Sequence, residues 1–138
     1  MKHKKYDNFK TKSVSSSLVR FAIDFQPEFV SDEVKQIAQL SLFDWFLVSV
    51  AGQTEPVSNI IRGQIKSDGG TEECTVIGTT QRFPARASAL ANGTISHALD
   101  YDDTHFAYLG HPSVAIIPAA IAIGEKTNAN PEKFWSAV

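Results

Sequence analysis

The stretch from Ser31 to Gly52 has one regular structure open to it and demands a particular environment. Ser31 is a side-chain N-cap, and Asp32 and Glu33 stand where the helix dipole favours negative charge. Val34, Ile37, Ala38, Ser41, Trp45 and Val48 then recur at the spacing of one helical face, and Leu40, Phe43 and Leu47 fall on a second. A helix apolar on two sides is expected between other elements, and in this chain alone its faces are expected to be left partly uncovered. Gly52 is its expected stop.

The flanking sequence reads as further helices. A short amphipathic helix is predicted over 15–23, ended by the approach to Pro27, because a residue preceding proline is pushed out of the helical region. Val57, Ile60, Ile61 and Ile65 predict a helix over 56–66, stopped by Asp68-Gly69-Gly70. Cys74 to Ile77 reads as a brief extended connection. Pro84 opens an alanine-rich helix over 85–98, interrupted or closely crowded at Asn92-Gly93, and a further apolar helix covers 112–126. Asn130 before Pro131 marks the N-terminus of a last helix, after which the chain stops at Val138 with no C-capping residue. The expected class is all-α, and the sequence reads as stopping inside an element.

Composition narrows the partners. The chain has 138 residues, of which 43% are hydrophobic and 20% charged, the range of one globular domain. A net charge of -2 gives no general attraction to nucleic acid or anionic lipid, so neither is an expected partner. The longest apolar stretches, 37–52 and 112–124, fall short of the roughly 20 residues that span a bilayer. Cys74 is the only cysteine, which excludes an intramolecular disulfide and fits a reducing, cytoplasmic setting. Residues 1–14 read as a basic, disordered tail, with five lysines against one acid in the first twelve positions.

Chemistry is concentrated in one place. His97, His105 and His111, together with Asp100, Asp102 and Asp103, fall within fifteen consecutive positions. If residues 100–104 close a helix, Asp100 and Thr104 share a face with Asp103 alongside. A histidine beside a carboxylate can act as general acid or base near neutral pH. Imidazole and carboxylate groups also suit a divalent metal, although no compact motif such as H-E-x-x-H is present, and no metal is expected. The plain alternative makes Asp102 and Asp103 caps of the Pro112 helix or solvated acids, and the histidines ordinary hydrogen-bonding residues. Pro112 also begins a helix whose N-terminal amides favour an anionic ligand next to His111. Arg82 and Arg86 suit a bidentate carboxylate contact, but are more simply solvated charges. Phe43, Trp45 and Phe46 belong to a core.

The run from Ala91 to His105, ANGTISHALDYDDTH, followed by Gly110-His111-Pro112-Ser113 and an alanine-rich helix containing Pro118, resembles the signature region of the MmgE/PrpD family. The likeness extends over about 15–138. It implies the N-terminal part of a helical domain, accompanied in the family by a smaller α+β domain and usually by a second subunit. It also implies a dehydratase, decarboxylase or epimerase of small di- and tricarboxylates, a lyase or isomerase that uses no metal or organic cofactor. By motif, His111 and Asp100 would be catalytic, Thr104 and His111 would bind substrate, and His97 and Asp103 would support them. The lysine, histidine and tyrosine groups that complete the family's pocket lie beyond Val138, so the chain alone is expected to be inactive. The other reading of the same sequence is a non-catalytic helical interaction or oligomerisation module, with homo-oligomers formed through exposed helical faces.

Overall fold

The computed structural model describes residues 13–26, 30–107 and 109–138, so most of the expected basic tail lies outside the described residues. Six helices and one small hairpin follow in order: α1 (Val14–Asp24), α2 (Asp32–Gly52), α3 (Pro56–Asp68), β1 (Cys74–Thr75), β2 (Arg82–Phe83), α4 (Ala85–Ser96), α5 (Pro112–Thr127) and α6 (Pro131–Trp135). The expected all-α class holds, and among the described residues the two-residue strands form a small two-stranded sheet. No helix among the described residues is long and apolar enough to cross a membrane.

The helix starts are chemical. The Ser13 hydroxyl accepts from the Ser16 amide at 3.1 Å, so Ser13 and Val14, assigned to the tail on sequence, belong to α1. Ser31 caps α2 through the Val34 amide at 3.3 Å, and Asn130 caps α6 through the Lys133 amide at 2.9 Å. Pro56, Pro112 and Pro131 each stand in a first turn, where a missing N–H leaves no intrahelical bond unmade. Gly69, at φ 67, ends α3 in a conformation that favours glycine.

The core lies where α4 meets α3, α5 and the hairpin. Ile65, Val76, Phe83, Ala91 and Ile95 form one buried cluster, and Cys74, Ala85 and Ala122 a second. What reads as an extended connection is a hairpin pairing Cys74 with Phe83 and Thr75 with Arg82. Polar groups bolt it to both long helices. The buried Asn92 side chain donates to Thr75 O at 3.0 Å and accepts from the Ile77 amide at 2.9 Å. Glu125 of α5 accepts from the Thr75 amide at 2.7 Å, and the Ser88 hydroxyl lies 3.2 Å from both Cys74 O and Phe83 O. These bonds pair backbone groups that a two-residue ladder leaves over.

Helix α4 runs unbroken through Asn92-Gly93, so of the two sequence expectations the crowded one holds. A Cβ on Gly93 would stand 3.2 Å from the carbonyl oxygen of Val114 in α5. That carbonyl has lost its usual donor, since Pro118 four residues on has no N–H. Gly93 thus meets α5 where Pro118 has freed a carbonyl, and a Cα–H contact is what fits there. Gly52 at the end of α2 approaches α4 as closely: a Cβ there would lie 2.5 Å from Ile95 O.

Helix α2 is covered only in part, as its two apolar faces led one to expect of this chain. Trp45, Val48, Ser49 and Gly52 are buried in its C-terminal half, but Val34, Ile37, Leu40, Phe43, Phe46 and Leu47 are exposed. Only part of one apolar face is covered by this chain. Helix α1 has no buried residue. Between α1, α2 and α6 lies a cleft of about 970 Å³, lined by Phe21, Phe25, Val34 and Trp135 among others and by no histidine.

Two outcomes are expected. Gly52→Ala should destabilise the fold by about 1–3 kcal/mol through overpacking against backbone, whereas Gly63→Ala, with nothing within 4 Å of the new methyl, should stabilise it by about 0.5–1 kcal/mol. Denaturant titration of both variants checks this, and equal effects would contradict the packing. The uncovered apolar residues of α1 and α2 should also make the purified chain self-associate and bind a hydrophobic dye. Light scattering that shows a dye-free monomer at high micromolar concentration would refute that.

Candidate active site at the α4–α5 junction

Helix α4 runs out at Ser96. His97 is its C-cap, donating its backbone N–H to Gly93 O, and His111 is the N-cap of α5. The close approach of the two helices therefore brings two histidines, fourteen positions apart in sequence, into edge contact, with ring centroids 4.8 Å apart and an interplanar angle of 63°.

The segment between them is not the helix end expected over 100–104. Asp100 takes φ 54, a left-handed conformation that Asp tolerates better than most residues, and its amide donates to His97 O at 3.1 Å. The chain then runs irregularly, so Asp100 and Thr104 share no helical face. A bridge between His105 and Gly110 closes the next turn, with the His105 amide donating to Gly110 O at 3.0 Å.

The irregular path places Asp102 beneath both imidazoles. Its side chain is 1% exposed; Oδ1 lies 2.8 Å from His97 Nδ1 and 3.4 Å from His111 Nδ1. His111 Nδ1 is also 3.2 Å from the Asp102 carbonyl oxygen. On the outer side the rings face Asp100, 77% exposed, whose Oδ1 is 3.7 Å from His97 Nε2 and 3.6 Å from His111 Nε2. The two imidazoles thus stand between a buried carboxylate at Nδ1 and an exposed one at Nε2. Asp102 Oδ2 is buried with no hydrogen-bond partner among the described residues. A buried carboxylate held on one oxygen depends heavily on the two rings it supports.

Of the residues singled out in the sequence, His97, Asp100 and His111 come together. Asp103 does not join them: its Oδ1 accepts from the Ser113 amide at 3.2 Å and its Oδ2 from the Ser113 hydroxyl at 2.8 Å. It caps α5, and the helix end expected to attract an anionic ligand is already answered by this carboxylate. Thr104 is exposed on the irregular segment between Asp103 and the bridge, outside the four-residue constellation. Asp102 is the member that sequence reasoning left among caps and solvated acids. Its only signal was its place inside the His/Asp run, because an irregular backbone carries no periodicity to mark a buried position.

The other candidates are structural. Arg82 donates to Glu73 O and stands 3.9 Å from Glu125. Cys74 is buried, and burial, then Glu125 and Glu73, push its thiol above the usual range, so it is not an activated nucleophile.

An imidazole held at Nδ1 by a carboxylate presents Nε2 in a fixed direction, ready to accept or deliver a proton or to hydrogen-bond a ligand oxygen. The fold and this site define a mostly helical domain with a pair of histidines where one helix ends and the next begins. The profile of the MmgE/PrpD N-terminal domain matches residues 16–138, and the chain belongs to the MmgE/PrpD family. It is similar to the cis-aconitate decarboxylase-like protein oryM of Aspergillus oryzae, 27% identical over 113 residues, which are 82% of this chain and 23% of that protein. It is also similar to the human cis-aconitate decarboxylase, 27% identical over 122 residues, 88% of this chain and 25% of that protein. The chain spans about a quarter of the length of these curated relatives.

With the 2.8 Å contact to Asp102, neutral His97 should carry its proton on Nδ1. Long-range ¹H–¹⁵N correlation spectra at alkaline pH should show that tautomer, and a mixture in Asp102→Asn. An Nε2–H tautomer in the unmodified chain would contradict the arrangement.

Proposed function

We propose that this chain forms the histidine-bearing wall of a cofactor-independent lyase or isomerase that acts on small di- or tricarboxylates. The observation that carries the reading is the His97–His111 pair seated on buried Asp102 at the α4–α5 junction, in a chain of this family with cis-aconitate decarboxylases among its relatives. His111 and Asp100 are the catalytic pair: His111 moves a proton next to a substrate carboxylate, and Asp100, close to both Nε2 atoms, orients and polarises. His97 and Thr104 bind substrate oxygens. Asp102 is a positioning residue that acts through the two rings, and Asp103 contributes by fixing the start of α5. Decarboxylation is the reaction favoured by the named relatives.

Charge sets a further requirement. Two carboxylates and two imidazoles carry between -2 and 0, so a polycarboxylate needs cationic groups from outside this constellation. Those groups are assigned to the part of the enzyme beyond the quarter represented here. The isolated chain is therefore inactive, because a pocket lacking most of its wall cannot align reacting groups. The uncovered face of α2 favours a second reading, a helical interaction module in which that face docks another copy or another helical segment.

In the enzyme carrying this segment, His111→Ala should lower kcat/KM by about 10²-fold or more at temperatures where the variant is still folded. His111→Asn, which keeps hydrogen bonding without a titrating ring, should be similarly impaired. Near-normal turnover of cis-aconitate by either folded variant would remove His111 from catalysis.

A further inference from the structure

We propose that α1, together with the lysine-rich segment that precedes it, is a contact surface for an anionic lipid bilayer, with the helix lying along the interface rather than crossing it. The helix has the division of sides that an interfacial position needs. Val14, Leu18 and Phe21 recur at helical spacing, with Phe25 on the same line at the C-cap, while Ser16, Ser17, Arg20 and Asp24 share a polar side. Helix α1 buries none of its residues against the rest of the chain, and Val14, Leu18 and Phe21 are each more than half exposed. Its eleven residues extend about 16 Å, too short to span a bilayer and long enough to rest three turns on one.

Charge selects the partner. The net charge of -2 conceals an uneven distribution: five lysines and one acid stand in the first twelve positions, so the rest of the chain carries the whole acidic surplus. Those lysines adjoin the apolar face, and Asp24, at the far end of α1, is the only acid of that helix. Each lysine near an anionic surface adds an attraction that decays within a Debye length, and a short apolar face by itself binds weakly. Together they supply the two signals that stable anchoring requires. The exposed apolar side of α2 offers no equivalent contact, because the exposed acids Asp32, Glu33 and Asp44 stand beside it and are repelled by anionic lipid. A nucleic acid would engage the lysines but leave the apolar face of α1 without a role. Binding of this kind is independent of the chemistry at the α4–α5 junction, which lies on other helices.

The test is flotation of the full chain with phosphatidylcholine vesicles containing roughly a third phosphatidylserine, which separates lipid-bound chain from self-associated chain. The chain should float with these vesicles at low salt, bind vesicles of phosphatidylcholine alone about 10-fold more weakly or less, and be released at an ionic strength of about 0.5 M. Leu18→Glu, at an exposed position outside the cleft, should weaken binding about 10-fold or more, and so should joint replacement of Lys4, Lys5, Lys10 and Lys12 by Gln. Far-ultraviolet circular dichroism of each variant should show the fold retained, since α1 contributes nothing to the core. Leu40→Glu, on the exposed side of α2, should leave vesicle binding unchanged. Absence of binding to anionic vesicles, or equal binding to neutral ones, overturns the proposal. Undiminished binding by folded Leu18→Glu would mark a bare polyanion contact and overturns it as well.

Discussion

The site depends on how closely α4 and α5 can approach. Gly93 faces the Val114 carbonyl that Pro118 leaves without a donor, and this pairing of a missing side chain with a missing N–H lets two helix backbones come together. Everything chemical follows from it. One helix ends in His97 and the other begins at His111, so the spacing of the rings is set by backbone packing a turn away rather than by the intervening segment. Asn92, next to Gly93, spends its side chain on the hairpin, which ties the same contact to Thr75 and Ile77.

Three aspartates within four positions show how environment divides one chemical group into separate tasks. Asp103 is consumed by Ser113 and holds the start of α5; Asp102 is shut beneath the imidazoles; Asp100, in a left-handed conformation, is left at the surface facing both Nε2 atoms. Residue type is identical in all three, and only the backbone path distinguishes them. A non-glycine residue at positive φ costs energy, and here one such residue stands against the two histidines.

That division explains what was legible in the sequence. Helices were readable because caps and periodicity are local: Ser31, Asn130 and the first-turn prolines stand where their chemistry requires, and α2, α3 and α5 end within two residues of the expected stops. The His/Asp concentration was also readable. The partition within it was not, because residues 98–104 follow no period, and the expected helical face joining Asp100 to Thr104 does not exist. The partial covering of α2 was legible only in outline. Its two apolar faces correctly state that the helix is to be enclosed, but periodicity says nothing of whether the covering groups belong to this stretch of chain.

The bridge between His105 and Gly110 has a consequence for how this segment can vary. It closes a small loop upon itself, pinned at its neck, while Asp102 and Asp103 anchor the chain just before it and His111 just after. Residues could be added or removed inside that neck without altering the path on either side. Length differences between related chains should therefore collect there, and an alignment that forces a gap-free match across it would set the second histidine out of register with its counterpart.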